Sequence, residues 1–153
     1  MDNIFNDDFT DFIKALNSQN VKYILVGGYA VIYHGHNRTT GDLDLWIEPT
    51  KENYILLEKA FNVFGMPVFD MTLDNFLSKK YDVFTFGKQP VSIYILTDLK
   101  GDLNFQDCFD FSKMVDFDGL QVRVIDIRDL ISSKKQSGRF KDLDDLEKLD
   151  KEN

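Results

Sequence analysis

Two aspartates separated by a single leucine, Asp42 and Asp44, are the residues of this chain best placed to do chemistry. In an extended strand alternate side chains share a face, which sets the two carboxylates side by side with Cα atoms about 6.6 Å apart. Leu43 and Leu45 then point the other way, toward a core. Paired carboxylates with an apolar backing are hard oxygen ligands suited to Mg²⁺, with Mn²⁺ as the close substitute. Upstream, the apolar run from Tyr23 to Val26 ends in Gly27-Gly28, and a short helical segment and a polar turn ending at Gly41 follow. The order is strand, glycine turn, helix, turn, strand with two carboxylates. Glycine lets the backbone turn sharply and lets a ligand approach the main chain. A helix over 28 to 35 offers free N–H groups there to phosphate oxygens.

These residues carry a resemblance. Gly27-Gly28 followed by Asp42-x-Asp44, within GGYAVIYHGHNRTTGDLDLWI, resembles the signature of the DNA polymerase β-like nucleotidyltransferase superfamily. The small, single-domain bacterial members, related to AbiEii-type toxins and the minimal nucleotidyltransferases, are the more similar group. A second block, DLISSKKQSGRFKDLDDLEKL, extends the resemblance over most of the chain; its matching positions are Lys134, Gly138, Arg139, Lys141, Asp142 and Asp145. The resemblance implies a nucleotidyltransferase fold, NTP as substrate, NMP transfer to a hydroxyl, and two Mg²⁺ (or Mn²⁺) held by Asp42 and Asp44. It also implies a third carboxylate on a later strand. The matching strand here is VSIYILT, and Tyr94 stands where that aspartate belongs. A phenol is neutral at pH 7 and is a poor Mg²⁺ ligand and a poor general base. Asp98 lies four residues on, past the strand, and Ser92 shares the face of Tyr94 without a charge. Tyr94 therefore bears on turnover more than on nucleotide binding, and simple packing against the sheet stands equally open.

The remaining candidates are weighed on their own chemistry. Lys134, Lys135, Arg139 and Lys141 form the densest basic cluster of the chain, either a triphosphate contact or a solvated face of Lys–Asp pairs. Arg38, in the turn before the acidic pair, suits a salt bridge to Asp44 or a phosphate. His34 and His36 flank Gly35, yet no Cys or third His stands nearby to complete a metal site, which favours helix-end hydrogen bonding. Cys108 is the one cysteine, reads as a small hydrophobe, and excludes an internal disulfide. Trp46 and the Phe-rich segments read as core.

The elements that must position these groups follow from periodicity. Phe9, Phe12, Ile13 and Leu16 mark a helix over 8 to 18, and the first strand spans 22 to 26. After the second strand, Pro49-Thr50 starts a helix that Gly65 stops, with Leu57, Ala60, Phe61 and Phe64 on one face. Leu73, Phe76 and Leu77 suggest a short helix. Residues 82 to 86 and 91 to 96 form a hairpin with a four-residue loop containing Gly87 and Pro90. A short helix over 105 to 111 and a hairpin around Asp118-Gly119 come next. Asp126 caps a helix to Ser137, Gly138 ends it, and Leu143, Leu146 and Leu149 give a last helix a narrow apolar stripe. The expected fold is one α/β (α+β) domain over 1 to 153, a mixed twisted sheet with helices mainly on one face.

Composition bounds the function. The 153 residues, 43% hydrophobic and 14% aromatic, suffice for a real core. A net charge of −8 argues against broad nucleic-acid binding, which needs a basic face. The first residues, MDNIFNDDFT, lack a signal-peptide core, and no apolar run nears the ~20 residues of a membrane span, so a cytoplasmic location is expected. Two readings follow. One is metal-dependent NMP transfer to an acceptor in protein, RNA or a small molecule, impaired by Tyr94. The other is a degenerate protein that binds nucleotide or a partner, such as a toxin–antitoxin component.

Overall fold

The computed structural model describes residues 1–88 and 91–152; the side chains of residues 140, 141 and 150 to 152 are not described. Seven helices and six strands alternate among the described residues: α1 Asp7–Ser18, β1 Tyr23–Val26, α2 Gly27–Tyr33, β2 Asp42–Ile47, α3 Lys51–Phe64, α4 Leu73–Leu77, β3 Val83–Lys88, β4 Val91–Leu96, α5 Phe105–Phe111, β5 Lys113–Phe117, β6 Leu120–Val124, α6 Ile127–Ser137 and α7 Phe140–Glu152. The strands form one mixed sheet in the order β3-β4-β2-β1-β6-β5. The strands β1, β2 and β4 are adjacent. β1 runs antiparallel to β2 with Val26 opposite Asp44, and β2 runs parallel to β4 with Asp42 opposite Ser92 and Asp44 opposite Tyr94.

The period of two along each strand gives the sheet two unlike faces. Leu25, Leu43, Leu45, Ile93, Ile95, Phe84 and Phe86 share one face and are buried. Against it pack α1 and α3, through edge-on contacts of Phe12 with Phe61 and Phe64 and of Phe61 with Phe86. The other face carries Asp42, Asp44, Trp46, Ser92 and Tyr94. There α5 covers Trp46 with Phe105, ring centroids 5.2 Å apart, so the apolar end of this face is sealed and the acidic end is left for α6.

Local chemistry sets the helix ends. Asn6, Thr50, Thr72, Asn104 and Asp126 each accept a hydrogen bond from a backbone N–H of the first turn they precede, as N-caps do. Gly65 and Gly138 close α3 and α6 in the left-handed conformation. Asn53, only 3% exposed, was not singled out by sequence: it accepts from Lys22 N and donates to Lys22 O and Glu48 O, pinning α3 to β1 and β2.

Some expectations are corrected. The β3–β4 loop is shorter than four residues, because Gly87 and Lys88 remain in the ladder opposite Ser92 and Val91; Pro90 lies outside the described residues. Phe69 and Phe111 are exposed, at 68% and 58%, since both sit where chain leaves a covered face. Leu143 is also exposed, whereas Leu146 and Leu149 face inward.

Leu45 lies between Leu25 and Ile95 in the centre of the sheet and is fully buried. Leu45→Ala is expected to cost about 2–5 kcal/mol, read as a lower urea midpoint with the slope of the transition unchanged.

Candidate active site

The acidic face of the sheet forms the floor of a cavity of about 530 Å³. Gly27 and Gly28 stand at one wall, Asp42, Asp44 and Tyr94 on the floor, and Ser133, Lys134 and Ser137 of α6 with Arg139 and Asp142 overhead. The two halves of the motif are sterically interlocked. A Cβ on Gly27 would lie 2.2 Å from Asp44 Oδ2, and Gly27 has φ +68°, so a side chain is excluded there by both space and backbone. A Cβ on Gly28 would meet Thr40 Oγ1 at 2.6 Å and Arg38 Nη2 at 3.1 Å. The sequence places glycine at 27 and 28 because the Asp44 carboxylate and the Thr40–Arg38 turn fill those volumes.

Asp42 and Asp44 are both half-buried. Asp42 Oδ1 is enclosed and has no hydrogen-bond partner among the described residues. An oxygen-only donor pair with an uncommitted carboxylate oxygen fits a hard divalent cation such as Mg²⁺ or Mn²⁺. The field of this pair reaches its neighbours. Burial, followed by the Asp42 charge, pushes the Tyr29 phenol above its ordinary range. Arg139 is held more firmly protonated, first by its hydrogen bond to Asp142 and then by the charges of Asp142, Asp44 and Asp145.

Behind Arg139 lies a buried ion network joining α6, α7 and the turn before β2. Lys134 Nζ donates to Asp142 Oδ1 at 2.8 Å and lies 3.1 Å from Asp145 Oδ2. Arg38 Nε lies 2.9 Å from Asp145 Oδ1, and Arg139 Nε donates to Asp142 Oδ2 at 2.7 Å. Ser137 also donates to Asp142. Asp142 and Asp145 are fully buried and Lys134 is 5% exposed. Burial opposes ionisation of Asp142, but hydrogen bonds from Arg139, Lys134 and Ser137 outweigh it and hold the carboxyl well below its usual range.

The placement of the sequence candidates is therefore uneven. Gly27, Gly28, Asp42, Asp44, Tyr94, Lys134 and Arg139 line one cavity. Arg38 pairs with Asp145 on α7 in place of the expected Asp44. Lys134 reaches the cavity with its ammonium already shared between two carboxylates, while Arg139 keeps 69% of its side chain exposed. The side chain of Lys141 lies outside the described residues. His34 Nε2 hydrogen-bonds Ile125 O at 2.7 Å, the expected structural role. His36 joins Asp144 and Asp145 in a group whose donor atoms lie within 4.8 Å of one another, but Arg38 and Lys134 already neutralise Asp145 there. Cys108 is buried, with its thiol pushed up to about 12 by burial and then by Asp129, and so is inert. Sequence reading missed Asp82, Lys100 and Ser133 as cavity residues, because only the strand register and the α6 docking bring them there.

Solved structures share this fold. A lincosamide antibiotic adenylyltransferase, LnuA, solved with lincomycin bound, superposes with a TM-score of 0.57 at 13% identity, covering 99% of this chain and 100% of that one. A proposed nucleotidyltransferase of Thermotoga maritima, TM1012, gives 0.56 at 13%, covering 95% and 91%. An antigenic nucleotidyltransferase-like protein of Paracoccidioides brasiliensis gives 0.53 at 15%, covering 92% and 72%. At these identities the likeness is one of fold: the chain has the nucleotidyltransferase fold. Residues 6–153 match the family described as nucleotidyl transferase of unknown function (DUF2204), and the chain belongs to that family. No curated protein matches the sequence.

The network carries a stability consequence with a definite sign. The folded-state pKa of Asp142 is depressed, so its contribution is fully present above the unfolded carboxylate range and is lost as pH falls toward the folded value. The destabilisation of Asp142→Asn relative to wild type should be constant above about pH 5 and shrink below about pH 4, measured by urea unfolding across pH. Lys134→Ala, which leaves part of two buried carboxylates uncompensated, should cost about 3–5 kcal/mol at neutral pH.

Proposed function

We propose that this protein binds a nucleoside triphosphate with Mg²⁺ or Mn²⁺ in the cavity over Asp42 and Asp44 and transfers NMP to a hydroxyl. The observation that carries the reading is the carboxylate pair itself, on the cavity floor beside Gly27-Gly28, with an Asp42 oxygen that has no hydrogen-bond partner among the described residues. Asp42 and Asp44 would hold the cation. When bound, it counters the triphosphate charge and lowers the pKa of an attacking hydroxyl. The lining carries Asp42, Asp44, Asp82, Asp98 and Asp142 against Lys100, Lys134 and Arg139, an acidic excess that favours cations. A free triphosphate is repelled from such a trough, and a metal complex is not.

The chain's own residues divide the remaining work. Gly27 and Gly28 let the Asp44 carboxylate and the Thr40–Arg38 turn pack directly against the main chain at the cavity wall. Arg139 is the cation best exposed to meet them, and Lys134 and Arg38 hold the roof that carries it. The acceptor is not specified by the lining. That LnuA was solved with lincomycin supports a small hydroxyl compound as readily as a protein or RNA acceptor.

Tyr94 opposite Asp44 supports a second reading, a nucleotide-binding protein with little turnover onto external acceptors, as one half of a toxin–antitoxin pair. No helix among the described residues is long and apolar enough to cross a membrane, and a cytoplasmic setting is part of the proposal.

Mg²⁺ or Mn²⁺ with an NTP should raise the melting temperature, and the Asp42→Asn, Asp44→Asn double variant should lose the effect. Ligand at about 100 times its dissociation constant stabilises by about 2.7 kcal/mol, ample for a thermal shift. A shift that survives the double variant removes these carboxylates from the site. Tyr94→Asp should raise label transfer from NTP to external acceptors by a factor of ~10²–10⁴, the usual range for restored general-base assistance.

A further inference from the structure

The floor of the cavity carries a nucleophile that the reaction above leaves unused. Three hydroxyl-bearing residues line the cavity among the described residues: Tyr94, Ser133 and Ser137. Ser137 donates its hydroxyl to Asp142 and to Lys134 O, both in the roof. Ser133 also belongs to the roof, on α6. Tyr94 is the one on the floor, half-buried, on the strand next to Asp44 and in direct register with it. Adjacent strands lie about 4.8 Å apart, and paired residues project to the same face. A phenol is longer than a carboxylate, so from the same level of the sheet Tyr94 can reach further into the cavity than Asp44 does. On its other side Tyr94 faces Thr85 of β3, which is exposed.

We propose that Tyr94 is itself an acceptor, so that the protein nucleotidylates its own tyrosine. The inference rests on the nucleotide reading of the same cavity. The phenolic oxygen attacks the α-phosphorus of the bound NTP and forms a new P–O bond. The bond from the α-phosphorus to the bridging oxygen breaks, and pyrophosphate leaves with the electron pair. The phenol proton passes to solvent. The products are Tyr94–O–NMP, pyrophosphate and a proton, and no further reactant is required.

Two effects favour this acceptor over an external one. Phenols release their proton far more readily than aliphatic alcohols or water, so less activation is needed where a carboxylate is missing. The nucleophile is also part of the site, which removes the entropy of bringing in a second substrate. The reaction is self-limiting. Once attached, the nucleotide occupies the cavity that made it, and each chain reacts once.

The test uses the full chain with Mg²⁺ or Mn²⁺ and each of the four NTPs, followed by intact mass and peptide mapping. The expected result is a mass gain of one nucleoside monophosphate, mapped to Tyr94. Tyr94→Phe, which removes only the hydroxyl, should lose the gain and still melt higher with Mg²⁺–NTP. Asp42→Asn should lose both. A melting shift without any mass gain, or a label that persists in Tyr94→Phe and maps to Ser133, overturns self-nucleotidylation and leaves nucleotide binding standing. Absence of any melting shift overturns the nucleotide reading and this inference together.

Discussion

The approach of the Asp44 carboxylate to the bare backbone of Gly27 is the constraint on which the rest of this structure depends. It couples the end of β1 to the start of β2 at a distance that no other residue at position 27 permits. Because Val26 pairs with Asp44, the antiparallel register of the two strands and the exit of the chain into α2 are fixed together. A one-residue slip would place the carboxylates on the apolar face and Leu43 and Leu45 in the cavity, an exchange with a large desolvation cost on both sides. The register is thus specified by sterics at the turn and by burial behind the sheet, and both act in the same direction.

The roof is held by charge where the floor is held by apolar packing. Asp142 and Asp145 are fully buried on α7, where Lys134 and Arg139 meet Asp142 and Lys134 and Arg38 meet Asp145. Networks of this kind add little net stability over apolar packing, but removing one member is costly. Their geometry is specific, since each oxygen answers to a particular donor. Here that specificity serves position: Arg38 belongs to the turn leading into β2, so α7 is indexed directly against the acidic motif. Arg139, bonded to Asp142 through Nε, is the member of the set with most of its side chain exposed.

The Gly27-Gly28 and Asp42-x-Asp44 block was legible in the sequence because its elements are local, alternate with period two, and are punctuated by glycine. The helix ends at Gly65, Asp126 and Gly138 were legible for the same reason, being set by capping chemistry within a few residues. The partner of Arg38 was not. Asp44 and Asp145 are equivalent as carboxylates, and the choice between them is made by the docking of α7, 107 residues away along the chain. The exposure of Phe69 and Phe111 was hidden likewise, because phenylalanine content says what a chain can bury and topology decides what it does bury. Lys134 was readable as a cation near the site, whereas its engagement by two carboxylates depends on the corner between α6 and α7.

That corner has a consequence for the order in which the protein is made. The floor is complete once β4 has formed, yet every roof group, from Leu130 to Asp142, and the anchor at Asp145 come later in the chain. During synthesis the carboxylate pair is therefore laid down uncovered, and Arg38 has no partner on α7 until that helix leaves the ribosome. The covered cavity comes into being only when the first turns of α7 bring Asp142 and Asp145 to Lys134.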